Sequence, residues 1–151
     1  MTLDLPPRDE DGHVVPHDHP GIHPDDGVIR RIAEHQLVYD EKLGKKRPST
    51  IAFQQSTEKN GGMSVDLQRL IEEAGVDART FVASPPWIGA VRFSAETLRQ
   101  KGLLVGFDPQ LPDNPYHGEV WGNFKKSLQR QLVSLAEPFV PWPDGSNHTT
   151  G

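Results

Sequence analysis

Two stretches of this chain carry apolar residues at helical spacing. Leu67, Leu70, Ile71 and Ala74 fall at i, i+3, i+4 and i+7, which predicts an amphipathic helix. Asp66 stands where an N-cap belongs and Gly75 where a C′ glycine belongs, and Val65 is placed to staple onto Leu70. Phe124, Leu128, Leu132, Leu135 and Ala136 form a second stripe. It predicts a helix over 124–136, which Pro138 ends. Residues 87–101 admit two readings. One is a single helix from Pro86 with Ile88, Val91, Ala95 and Leu98 on one face. The other is a strand over 88–92 and then a helix capped by Ser94 and ended by Gly102. Gly89 weakens the first reading and Ser94 favours the second.

Shorter apolar runs predict strands over 28–32, 36–39, 50–54, 63–65, 80–83, 103–107 and 116–121, the first of which also reads as a brief helical turn. Lys59-Asn60-Gly61-Gly62 is a turn, Pro85-Pro86 is a break, and 108–115 is a loop with three prolines. Residues 40–49 are a charged loop that Pro48 makes turn. Strands and helices mix without a regular βαβ rhythm. The expected class is therefore α+β, a small mixed or antiparallel sheet with two to three helices.

The ends differ from the middle. Residues 1–26 hold five prolines and four histidines and too few apolar positions to offset the entropy of ordering. They are expected to form an irregular arm. Residues 27–137 read as a single domain and 138–151 as an extended Pro-rich tail, with Phe139, Val140 and Trp142 able to dock.

Composition narrows the chemistry. Cysteine is absent among the 151 residues, which excludes disulfides, thiolate metal centres and a cysteine nucleophile. No apolar run approaches the roughly 18 residues of a membrane span, and the first residues lack a basic region followed by an apolar one. The expectation is a cytoplasmic protein that contacts no membrane. A net charge of −5 argues against general DNA binding. The G-x-S-x-G elbow, the Walker A spacing and the dinucleotide glycine spacing are all missing.

Three groups of residues carry candidate chemistry. On the strand over 116–121, His117, Glu119 and Trp121 share one face, so His117 and Glu119 can act as an acid–base pair. Asn123, Lys125 and Lys126 follow at a helix start, where cations oppose the macrodipole unless an anion is bound. The plainer alternative is a capping Asn123, two solvated lysines and a structural His117. The second group is Arg31, Arg47, Ser49 and Ser64, whose guanidinium and hydroxyl groups suit phosphate or carboxylate. The basic residues of 42–47 are also placed to meet Lys125, Lys126 and Arg130, with Tyr116, Trp121 and Phe124 near enough to stack on a base; otherwise these are solvated charges and core aromatics. The third group is His13, His17, His19 and His23, a candidate metal set or else a solvated, pH-sensitive tail.

Arg31, Ser49 or Ser64, and the late Glu119 lie on separate predicted segments. Together they resemble the constellation of ADP-ribosyltransferase-like domains, and that resemblance implies NAD as ligand. The Ser-Thr-Ser run and the paired late glutamates of that family are missing here. Segments 47–53 (RPSTIAF), 62–66 (GMSVD) and 115–122 (PYHGEVWG) are similar to a group of small uncharacterised bacterial proteins. This implies a single bacterial domain and no particular chemistry.

Three readings follow. The first is a soluble binding or protein-partner module with an anion- or nucleotide-sized pocket near His117, Lys125 and Lys126. The second is an enzyme acting on a nucleotide, NAD or an RNA phosphodiester. In it His117 is the acid–base, Glu119 its partner, and Arg31, Arg47 and Lys126 the phosphate clamp. The third is metal binding by the arm. Geometry separates the first two. Convergence of His117, Glu119, an arginine and Ser49 or Ser64 in one cleft favours the enzyme. A His117 buried under Trp121 with dispersed arginines counts against it.

Overall fold

The computed structural model describes residues 3–143. The part of the expected C-terminal tail at 144–151 lies outside the described residues. The fold is α+β. Strands β1 (Gly27–Ala33), β4 (Met63–Leu67), β5 (Trp87–Ser94), β6 (Leu104–Phe107), β7 (His117–Trp121) and β8 (Glu137–Val140) form one sheet in the order β6-β7-β4-β1-β5-β8. Every neighbouring pair in it is antiparallel. Strands β2 (Leu37–Asp40) and β3 (Lys45–Pro48) make a separate hairpin. The helices are α1 (Gln68–Glu73), α2 (Ala78–Val82), α3 (Ala95–Gln100) and α4 (Lys126–Leu135). Among the described residues no helix is long and apolar enough to cross a membrane.

Alternation along the strands divides the side chains between two faces. On one face Val28, Ile32, Met63, Val65, Val91, Phe93 and Val120 join Ala52, Phe53, Leu98, Leu128 and Leu132 in the larger core. On the other, Ile29 and Ala90 pack with Ile71, Ala78, Val82 and Phe139. That second cluster covers β1 and β5. In front of β4 and β7 the same face is polar, with Ser64 opposite Glu119 and Asp66 opposite His117.

Several local expectations change. Asp66 belongs to β4, and Leu67 rather than Asp66 is the N-cap of α1. The Asp66 carboxylate is already taken by Arg31 and Asn114, so it does not cap. Residues 50–54 are not a strand; Thr50–Ala52 is a 3-10 turn that buries Ala52 and Phe53. An apolar run reports burial, and periodicity over so few residues does not distinguish extended from turned backbone. Residues 80–83 are mostly helical, because Asp77 accepts from the Thr80 amide and starts α2. Between the two readings of 87–101, strand then helix holds, with the Ser94 hydroxyl capping α3 through Thr97. The chain after α4 is an edge strand, β8, with Phe139 buried.

The arm is irregular, as its composition predicts, but it is docked. Val14, His19 and Ile22 are buried. Asp18 and His17 accept from the Val105 and Phe107 amides, and the His19 amide donates to the Val105 carbonyl. The arm thereby satisfies the outer edge of β6, which would otherwise present unpaired backbone groups.

Candidate functional site

The site begins where two strands part. β1 and β4 pair at Val28↔Leu67 and Ile29↔Asp66 and at no further position. Beyond that point the Arg30 guanidinium occupies the opening. Its Nε donates to the Ala52 carbonyl at 2.9 Å and its Nη1 to the Ser64 carbonyl at 2.9 Å. A side chain therefore satisfies an acceptor that the sheet ladder leaves open. Arg31 grips Asp66 with two bonds, Nε to Oδ2 at 2.8 Å and Nη2 to Oδ1 at 3.2 Å. Asn114 donates a third bond to Asp66 at 2.8 Å, and the Phe81 ring lies 5.3 Å from the Arg31 guanidinium carbon.

Glu119 is buried on β7. Its Oε1 accepts from the Gly62 amide at 2.8 Å and its Oε2 from the Ser64 hydroxyl at 3.0 Å. His117 Nδ1 lies 2.9 Å from the Asp108 carbonyl. A carbonyl can only accept, so Nδ1 carries a proton. His117 Nε2 stands 3.6 Å from Glu119 Oε2, beyond hydrogen-bond reach, so Nε2 is not engaged by that carboxylate. Ser64 is the exposed residue of β4; its four strand neighbours are buried.

The electrostatics favour an extra proton in this pair. Burial pushes the Glu119 carboxyl above its ordinary value of 4.5, and the Gly62 amide, His117 and Ser64 only partly oppose that. Burial alone would lower His117, but the Asp108 carboxylate and the Glu119 charge outweigh it and hold the imidazole above its ordinary 6.5. Burial lowers Arg30, with Glu119 and Asp66 opposing, and a guanidinium stays charged regardless.

A pH dependence follows for His117. Its folded value is raised, so its contribution to stability is complete below pH 6.5 and is lost as pH rises through the raised value. Urea-unfolding midpoints should therefore decline as pH rises from 6.5 through that raised value. In His117→Asn that part of the decline should vanish. Parallel profiles for the two proteins would show that His117 carries no such linkage.

A cavity of about 550 Å³ opens over this face, lined among others by Arg30, Arg31, Ser64, Phe81, Trp87 and His117. A second cavity of about 450 Å³ is lined by His35, Gln54, Gln55 and Ser56 and again by Arg30 and Ser64. The two cavities meet at Arg30 and Ser64.

Of the residues proposed from sequence, His117, Glu119 and Ser64 come together, and Arg31 lines the same cavity with its guanidinium already held by Asp66. The others lie elsewhere. Arg47 bonds Asp40 and the Pro48 carbonyl within the hairpin. Ser49 donates to the Gln36 carbonyl. Lys126 donates to the Thr50 hydroxyl, and Asn123 engages Lys125 through its backbone carbonyl. Neither cavity is lined by Asn123, Lys125 or Lys126. The expected single pocket joining His117 to these lysines is corrected. Leu128 and Leu132 of α4 pack in the core that holds Val120, and Val120 faces opposite to Glu119 on β7.

The basic residues Lys42, Lys45, Lys46, Arg47 and Arg130 do line one groove, with Trp142. The aromatics expected beside them are engaged elsewhere: Tyr116 packs on Phe81, the Trp121 indole N–H donates to the Asn60 carbonyl, and Phe124 is buried.

The four arm histidines do not form one ligand set. His17 engages the Val15 carbonyl and the Phe107 amide through its two ring nitrogens. His19 engages the Asp4 carbonyl and the Gly21 amide. His13 stands with Asp9 and Asp11, and His23 is exposed. An imidazole that bonds the backbone through both nitrogens has none left for a metal. The trio Asp108, His117 and Glu119 is also close enough to hold an ion; within it Glu119 is engaged by Gly62 and Ser64, and His117 Nδ1 by the Asp108 carbonyl.

Sequence reasoning missed Arg30, Gly62, Asp66 and Asn114 as site residues. A signal existed for Asp66. Met63, Val65 and Leu67 alternate with Ser64 and Asp66, and that period of two extends the strand through Asp66. No family model, no curated protein and no solved structure matches the chain.

Proposed function

We propose that this protein binds a phosphate-bearing, nucleotide-sized ligand in the paired cavities and moves protons on it through His117 and Glu119. The observation that carries this reading is the convergence of Arg30, Ser64, Glu119 and His117 at the opening between β1 and β4. A volume of about 550 Å³ lies within the usual span of small-molecule sites. Arg30 supplies a fixed positive charge for phosphate. Phe81 and Trp87 supply aromatic surface on which a planar base packs. His117, whose imidazole holds its proton to higher pH than a free one because of the Asp108 and Glu119 carboxylates, supplies a general acid. The same pocket would serve a binding module without chemistry, but a buried acid–base pair beside the exposed residue Ser64 favours turnover.

Calorimetric titration with 5′-AMP, with a dinucleoside monophosphate and with NAD tests this. Saturable binding of at least one probe is expected. Arg30→Gln should weaken it at least about tenfold, an effect of roughly 1.4 kcal/mol. Absence of saturable binding by all three, or unchanged affinity in Arg30→Gln, would overturn the reading.

A further inference from the structure

We infer that Ser64 is a nucleophile, and that the two cavities hold the two halves of a phosphodiester whose phosphorus sits at Ser64. The inference rests on the phosphate-ligand reading above and assigns this serine a role that anion binding does not require.

Three observations converge on Ser64. Ser64 is the exposed residue of a strand whose other members are buried, and it lines both cavities, so its side chain stands on the cavity side and not in the core. Its proton is donated at 3.0 Å to a buried carboxylate, Glu119 Oε2. That carboxylate is in turn placed by backbone. The Gly62 amide holds Oε1, and a Cβ on Gly62 would lie 2.6 Å from the Val120 carbonyl and 3.1 Å from Oε1 itself, so a side chain there would crowd the base. A nucleophile hydrogen-bonded to a base, with the base oriented by a third group, is the arrangement that activates a hydroxyl. Burial raises Glu119 and so makes it a better proton acceptor. The third observation is the shared wall. Ser64 and Arg30 line both cavities, with His117 on one side and His35, Gln54 and Gln55 on the other. A ligand reaching into both must carry its charged centre in the middle.

The chemistry balances without a further co-reactant except water. Ser64 Oγ attacks phosphorus and forms an Oγ–P bond while its proton passes to Glu119 Oε2. The bond from phosphorus to the leaving alcohol breaks on the His117 side, and that oxygen takes the proton of His117 Nε2. Water then attacks the phosphoserine diester and gives a proton to His117. Serine Oγ leaves and recovers its proton from Glu119. One P–O bond is hydrolysed and every side chain returns to its starting state. Arg30 faces the phosphoryl oxygens in both steps.

Diisopropyl fluorophosphate, a phosphorus electrophile, tests the nucleophile directly. The full chain is incubated with it and followed by intact mass and peptide mapping, with 5′-AMP and dinucleoside monophosphate binding measured on the same protein. A single adduct on Ser64 is expected, absent in Ser64→Ala. It should form at least about tenfold more slowly in Glu119→Gln, which keeps the shape and loses the base. Labelling of Ser64 at equal rates in Glu119→Gln would overturn the activation. Ligand binding without labelling of the native protein would overturn the nucleophile and leave the phosphate-ligand reading standing. Neither binding nor labelling would overturn both.

Discussion

Replacing Asp66 with alanine is expected to destabilise the protein by about 3 kcal/mol and to weaken ligand binding in the same variant. Asp66 is 3% exposed and accepts two bonds from Arg31 and one from Asn114. Its removal leaves a guanidinium without its partner. Breaking a buried pair from one side commonly costs ~3–5 kcal/mol. The lower end applies here, because the Arg31 side chain keeps 20% of its exposure and water can reach it. Asn114 lies in the connection between β6 and β7, so the same change frees one wall of the larger cavity. Urea unfolding checks the first effect, as a lower midpoint at an unchanged slope. Titration with 5′-AMP checks the second. A stability change within ~0.5 kcal/mol would mean that Arg31 and Asp66 behave as a surface pair.

The second large effect is expected at Phe53, which is fully buried with its ring 5.7 Å from that of Phe93. Phe53→Ala should cost ~3–5 kcal/mol through lost burial and the cavity left behind. Its interest lies in what the ring supports. Phe53 closes the turn Thr50–Ala52, and the Ala52 carbonyl holds the Arg30 Nε. Leu98→Ala, in the same core but on α3, serves as the comparison. At a temperature where both variants are folded, Phe53→Ala should bind 5′-AMP more weakly than Leu98→Ala does. Equal affinities would show that Arg30 keeps its position without the turn.

These two residues also mark how far the sequence could be read. The sequence places Phe53 in a strand over 50–54, whereas the backbone there is a 3-10 turn that buries the ring. Asp66 reads from the sequence as a helix N-cap and not as a site residue. A carboxylate before an apolar helical stripe has the look of an N-cap, and nothing local shows that an arginine 35 residues earlier claims it first. Ser64, His117 and Glu119 were each singled out. Their meeting depended on which strands become neighbours. Alternation shows that Arg30 and Arg31 diverge on their strand, and does not show which one meets the site.

What the sequence determined by itself is therefore what depends on near neighbours. It determined the α+β mixture, the extended pairing of His117 with Glu119 on one strand face, the Ser94 cap, the proline and glycine breaks, and the irregular course of the first 26 residues. Those features follow from side-chain periodicity and backbone preference within a few residues. The tertiary structure decided the strand order β6-β7-β4-β1-β5-β8, the docking of the arm on the β6 edge, and the sorting of the basic residues. α4 took Lys125 and Lys126 away from the His117 face, while the parting of β1 from β4 let the Arg30 guanidinium reach the Ser64 carbonyl. These choices belong to burial and to satisfaction of backbone groups across the whole chain, where contacts between residues far apart in sequence outweigh the local preference of any one segment.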